Sequence, residues 1–536
     1  MKTDGRYTAD RNPGVAEGWR LDRLTPPSRL FGANGLRTGP DGRLYVAQVT
    51  GSQVSAMDTA SGVVEVVSAK GSNIIGPDDL AFDEAGNMFA TEVMDGRVSV
   101  LDRCGQARVL RDDIPLANGI TIFRGRLFVG ECRESGRLLE LDRNGGPPRV
   151  LLENVPLPNA MEVGPDGLLY FSVMGANQIW RIGPDGGQPE VVAANLGVPD
   201  AVKFDAEGFI VSTQLQSGQV LRIDPRSGEY TVLAELDPGL DNLTFVDQRL
   251  FVSSLSGQIT EVIGGGETSS LMCGGLTWPL DLEVAEDGNL YVADGIYLYQ
   301  LGPDGLLRTV GMLFAPGYPG FLRGLAAVGD GNFIVTTSNG QVSRYRPASS
   351  ESEVLADGFD QLYGVGIGPD RTIVVAELGS GRVLAIRSGN VQTLASGLQD
   401  PLGVTFAADG SCLVSEAAAG RIVKVTSSGI ETVAEGLQSP QGILVHDGQL
   451  FVLDAGAKVV VAFDSQTHVG QTIAFDLPVG APPGVMAKPL RGMPPFSGPQ
   501  GPFAGMSAGR DGTLYISADG DGSILALRRQ NAHDHH

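Results

Sequence analysis

Pro158-Asn159-Ala160-Met161-Glu162-Val163, Gly164-Pro165-Asp166-Gly167, Leu168-Leu169-Tyr170-Phe171-Ser172: this stretch decides the fold. Two short runs rich in apolar and aromatic residues flank an Asp-Gly turn, which is a hairpin signal. A Gly-containing turn then leads to Gln178-Ile179-Trp180-Arg181-Ile182, and a Gly-rich turn to Pro189-Glu190-Val191-Val192-Ala193. The unit reads as four short strands.

The pattern recurs twelve times. Marked by the residue just before the first strand, the units begin at Asn34, Asp78, Asn118, Asn159, Asp200 and Asp241, then at Leu280, Arg323, Tyr363, Leu402, Gln441 and Ala504. Successive markers lie 39–44 residues apart, except the last pair at 63. That gap holds a Pro/Gly-rich insertion, roughly 476–502, read as one long loop or lid. Four-stranded units near 40 residues are the signature of β-propeller blades. With 75 Gly and 32 Pro in 536 residues, long helices are excluded.

Twelve blades in one ring would be unusual, so the sequence predicts an all-β chain of two tandem six-bladed propellers with antiparallel blades. Its last unit ends after a third strand, Ser523–Leu527, while Gly18–Leu24 looks like a fourth strand with no blade before it. Gly264-Gly265-Gly266 follows the third strand of unit six, and Ser269–Cys273 is the next strand candidate. The expected closure is crossed: the N-terminal strand completes blade six and residues 269–273 complete blade twelve. Each ring then loses its exposed edge. The expected domains are residues 1–264 and 265–536.

Sixty-two acidic against 39 basic residues give a net charge of −23, which excludes a broad basic face for nucleic acid or an anionic membrane. Met1–Arg6 holds no apolar stretch, and no apolar run reaches membrane-spanning length. Cys104, Cys132, Cys273 and Cys412 have neither metal nor redox spacing. They are expected as free thiols in a reducing cytoplasm. The expected partner is a small-molecule substrate.

Strand starts of successive blades face one another around a propeller's central channel. The first half therefore presents a circle of Asn34, Asp78, Asn118, Asn159, Asp200 and Asp241, all Asn or Asp. The second half presents no carboxylate there. Three carboxylates on one axis repel unless protons or a cation intervene. An oxygen-only set suits a hard cation: Ca²⁺ first, with Mg²⁺ and Mn²⁺ as alternatives and Zn²⁺ less favoured. The competing account is turn capping, which would produce a similar ring in both halves.

These units resemble the gluconolactonase and senescence-marker-protein (regucalcin) family of six-bladed propellers. Ala117-Asn118-Gly119, Pro158-Asn159-Ala160 and Pro199-Asp200-Ala201 match that family's Asn, Asn and Asp on successive blades. The family's Glu falls at Asn34, a departure that leaves the metal one carboxylate poorer unless Asp78 or Asp241 compensates. The resemblance implies a divalent cation, commonly Ca²⁺, and hydrolysis of a lactone or related ester. It makes Asp200 the candidate catalytic carboxylate and Asn118 and Asn159 metal ligands. The alternatives are a non-enzymatic binding platform, or a metal-dependent C–C hydrolase, lyase or isomerase on the same site.

Second-strand ends offer another acidic set: Glu92, Glu131, Asp294, Glu377, Glu416 and Asp454. Their spread over both halves fits bonds to neighbouring turn amides. Glu92 and Glu131 are also candidates to support the first ring or touch substrate. Arg323, Tyr363 and Gln441 read as a channel plug, and Asp519-Gly520-Asp521-Gly522 as a hairpin turn. No ring position is His, which disfavours lyases with a His base. The others, His446, His468, His533, His535 and His536, fall near a turn, in a connection and in the tail.

Overall fold

A computed structural model of the chain describes residues 6–9, 11–464, 467, 469–492, 501 and 503–530. His468, the tail histidines and most of 493–502 lie outside them. Within the described residues there are twelve antiparallel sheets: eleven of four strands and one of five. No helix there is long and apolar enough to cross a membrane.

The repeated turn shows why the sequence folds this way. In Gly164–Gly167 the Gly167 N–H bonds the Gly164 carbonyl (2.9 Å) and Gly167 takes φ +81°. Asp166 Oδ1 accepts the Leu168 N–H (3.0 Å) and Oδ2 accepts the Tyr170 hydroxyl (2.8 Å). Glycine supplies the positive φ, and aspartate locks the turn with its side chain. The flanking strands pair Met161 with Phe171 and Phe171 with Trp180. Their inward faces form small apolar clusters between neighbouring sheets, such as Phe128, Leu138, Met161, Leu169 and Phe171.

Two compact units result: Leu30–Gly275 with Met486–Arg491, and Met1–Arg29 with Leu276–Val485 and Gly492–His536. Six sheets lie in each. In the first, the initial strand of each sheet follows that of the previous one, and Leu240–Val246 packs back against Leu36–Thr38. Thr38 Oγ1 donates to the Phe245 carbonyl (2.6 Å) and Ser253 Oγ to the Asn34 carbonyl (2.7 Å) at that junction. In the second, the Gly505 N–H and Ser517 Oγ both donate to the Leu280 carbonyl (2.7 and 2.8 Å). Each set of six sheets thus closes on itself.

The crossed closure expected from the sequence is wrong. Glu267–Met272 pairs with Ile259–Gly264, its own predecessor, and Trp19–Arg23 pairs with Ser523–Arg529. The reason is local. Gly265 and Gly266, at φ +63° and +84°, make the two-residue turn that right-handed strand twist favours. A hairpin closes a far shorter loop than a crossover does. The twelfth sheet takes its fourth strand, Trp19–Arg23, from near the N-terminus. The boundaries therefore shift from 264/265 to 275/276, and the first 29 residues belong with the second unit.

Candidate functional site

In the unit Leu30–Gly275 the first strands approach so closely that a Cβ on Gly35 would lie 2.4 Å from the Asp78 carbonyl oxygen, and one on Gly119 2.1 Å from that of Asn159. This convergence brings the Asn/Asp positions towards one axis. Asn34 Nδ2 donates to Asp241 Oδ2 (3.1 Å), while its Oδ1 accepts the Val49 N–H (3.2 Å). Asn159 Nδ2 points at Met174 Sδ (3.0 Å). Asp78, Asp200 and Asp241 are 8%, 4% and 9% exposed.

Burial, reinforced by the Asp79 charge, pushes the Asp78 carboxyl up to about 7. Asp200 is raised well above the usual carboxylate range by burial, then by Asp78 and Asp79. Burial and the charges of Asp200, Asp78 and Asp79 raise Asp241 likewise, opposed by the Asn34 amide. The structure therefore brings these three carboxylates within electrostatic reach of one another, and among the described residues none has an ion pair. Such a set holds protons or a cation, not three bare charges.

Two residues at this mouth were not singled out from the sequence. Cys132 bonds the Asn118 side chain, and its thiol is pushed up by burial and by Asp200, Asp78 and Asp241. Asp79, 2% exposed, accepts the Leu80 N–H (2.8 Å) and the Asn242 amide (3.4 Å). Asp79 directly follows the marked Asp78, so the repeat held a signal for it; Cys132 follows Glu131 at a strand end and carries none. Three residues further along the strands stand Arg37, Glu162 and Lys203. Arg37 donates to Glu162 Oε2 (2.8 Å), Lys203 Nζ lies 3.3 Å from the same oxygen, and Thr121 donates to Oε1 (3.0 Å). Burial alone would raise Glu162, but Lys203 and Arg37 hold it down to about 2.

Glu92 and Glu131 do not join the ring. Glu92 accepts the Ile75 N–H (2.7 Å) and bonds Arg97 and Ser99. Glu131 is clasped by Arg133 (2.7 Å) and Arg137 (2.9 Å). Both are fully buried and spent on their own sheets, because the second strand ends beside the loop it tethers. Asp294, Glu377, Glu416 and Asp454 likewise accept N–H groups of Trp278, Asp360, Gln399 and Ser439, each at 2.8 Å.

The donor chemistry of the ring fits a hard cation: carboxylates and amide oxygens, buried, with no positive side chain to neutralise them. Among the described residues, however, no three His, Cys, Asp or Glu side chains stand at metal-ligating spacing. Any ion would lean on the asparagines as well as the aspartates. Part of the insertion lies beside the same mouth. Lys488 Nζ donates to the Ser72 carbonyl (2.7 Å) and Asn73 Oδ1 (3.0 Å), and the buried Leu490 packs on Gly76, two residues before Asp78.

No family model and no curated protein matches the chain. Among solved structures it is similar to a streptogramin B lyase (18% identity, 51% of this chain and 94% of that one, TM-score 0.39). It is also similar to a gluconolactonase from Xanthomonas campestris (18%, 46% and 94%, TM-score 0.38). A third is a chain of a nidogen/laminin complex (21%, 37% and 79%, TM-score 0.34).

Proposed function

We propose that each unit is a six-bladed propeller and that the unit Leu30–Gly275 is a metal-dependent hydrolase of a lactone or related ester. The observation that carries this reading is the buried, uncompensated trio Asp78, Asp200 and Asp241 at one channel mouth. Asn34, Asn118, Asn159 and the three aspartates would hold a divalent cation, Ca²⁺ by preference. When bound, such an ion polarises a carbonyl and stabilises the oxyanion that forms on it.

This chain's own residues supply the rest. Asp200, in its ionised form, is the group assigned to take a proton from an attacking water. Burial excludes bulk water from the three carboxylates. Residues 486–491, held by Lys488 and Leu490, would restrict access beside Asp78 as a lid. The same arrangement would serve a C–C hydrolase, lyase or isomerase, since each needs a polarised carbonyl.

One observation favours a binding platform instead: the carboxylates are nearly covered. The deciding experiment compares metal content and lactone and ester turnover of wild type and Asp200→Ala. About one ion per chain, lost together with turnover in the variant, supports the hydrolase. No ion in either protein after adding Ca²⁺, Mg²⁺, Mn²⁺ or Zn²⁺ rejects it. An ion without turnover on any ester or lactone leaves the platform or another reaction.

A further inference from the structure

The second unit carries a chamber that the proposed hydrolase does not use. A cavity of about 500 Å³ runs along its first strands, from Phe503 and Gly505 at one end to His446 and Ala508 at the other. Arg323 closes the strand-start mouth. It is 1% exposed, donates to the Gly501 carbonyl (2.8 Å), and lies 5.0 Å from the Trp278 ring and 5.3 Å from that of Tyr363. Tyr363 in turn bonds the Gly501 N–H (3.0 Å) and packs on Phe503. The plug expected from the sequence at this mouth is therefore present, and it leaves a well beneath it.

Two carboxylates face this well, Asp281 and Glu283, two residues apart on one strand. Asp281 accepts the Leu282 and Leu325 N–H groups (both 3.0 Å); Glu283 accepts the Ser507 hydroxyl (3.1 Å). Apolar side chains such as Val404, Phe406 and Ile443 stand on the remaining wall beside Thr405, Ser507 and strand backbone bared at Gly366 and Gly403. Among the described residues no Lys or Arg lines it, and the other titratable side chain there is His446 at the far rim.

Comparison with the first unit, register by register, shows what this means. Three residues past the strand start, the first unit places Arg37, Ala81, Thr121, Glu162, Lys203 and Thr244. Its one carboxylate is neutralised by two built-in cations. The same level of the second unit holds Glu283, Ala326, Gly366, Thr405, Leu444 and Ser507. Here the carboxylate has no cation, and small side chains leave open space where Arg37 and Lys203 would reach. Burial pushes Asp281 and Glu283 each up to about 7, and a cation placed beside them would favour their charged forms.

We propose that this well binds a small organic ammonium compound, with Asp281 and Glu283 taking the charged nitrogen and the glycine and aliphatic wall taking its apolar body. A desolvated carboxylate pair recognises N⁺–H strongly, and a chamber of this size suits a small ligand.

Isothermal titration of the full chain with phenethylammonium tests this, using 2-phenylethanol as the uncharged probe and Ca²⁺ as the metal probe. Expected is one saturable site for phenethylammonium, tightening as pH rises from about 6 to 8 while Asp281 and Glu283 give up protons. Glu283→Gln should weaken it about tenfold or more, the size of a lost charge-assisted bond. Thr405→Phe, which fills the wall without touching a carboxylate, should abolish it. Both variants should keep the metal content and any ester turnover of the first unit, so failure here is distinct from failure of the hydrolase reading. Equal binding of 2-phenylethanol, binding undiminished in both variants, displacement by Ca²⁺ alone, or no binding by wild type would each overturn the proposal.

Discussion

Single residues in this chain act as tethers as often as they act as chemistry. Glu416 is fully buried, accepts the Gln399 N–H (2.8 Å) and pairs with Arg421 (2.7 Å). Glu416→Ala leaves that amide and that guanidinium unsatisfied, so stability should fall by about 1–3 kcal/mol in urea denaturation, with no change in metal content. The same device recurs with an amide oxygen. Gln48 accepts the Phe31 N–H and Gln214 the Gly197 N–H, both at 2.9 Å. An acidic residue at a strand end was therefore legible as a turn tether from its repetition alone. Its neighbour Cys132 was not legible as part of the mouth, because nothing in its spacing says which way the chain turns after the strand.

Among the elements, the terminal strands decide integrity. Trp19–Arg23 runs antiparallel to Ser523–Arg529 over five paired positions, and Gly14–Val15 adds to Gly470–Phe475. Removing residues 1–24 strips the fourth strand from the twelfth sheet and exposes an edge. Scanning calorimetry should then show a lower Tm for the unit built on Leu276–Val485, and the truncated chain should aggregate more readily. Truncation in the first unit's closing strand, Glu267–Met272, should instead act on the unit Leu30–Gly275. The crossed alternative read from the sequence makes the opposite assignment in both cases. The four strands of each unit were visible as periodic runs bounded by Gly and Asp, while Gly14–Val15, the fifth strand beside Gly470–Phe475, was not. Their pairing partners were not, because an edge strand of this composition fits any open sheet.

For the molecule as a whole, charge sets the pH response. Asp78, Asp281 and Glu283 each have a carboxyl raised to about 7 by burial. Below the usual carboxylate value both folded and unfolded chains hold these protons, and nothing is lost. Above it the unfolded chain releases them first, so stability should decline as pH rises from about 4 through about 7. Calorimetry at pH 5 and pH 8 should give a lower Tm at pH 8. Added Ca²⁺ should recover the part due to the first unit, and an organic ammonium the part due to the second. A Tm that climbs over this window would show that these carboxylates are paired with cations in the folded chain.

The amino-acid sequence alone determined the all-β class and the repeated short antiparallel strands of the twelve sheets, because turn chemistry and strand alternation are local properties. Tertiary structure alone decided three things. It assigned the terminal strands, since loop length and glycine dihedrals choose between equally apolar edges. It bound Glu92 and Glu131, candidates to support the first ring, to arginines and turn amides of their own sheets. It set a neutralised channel in one unit against an acidic well in the other, because charge compensation depends on residues some forty positions apart meeting across an axis that no linear pattern records.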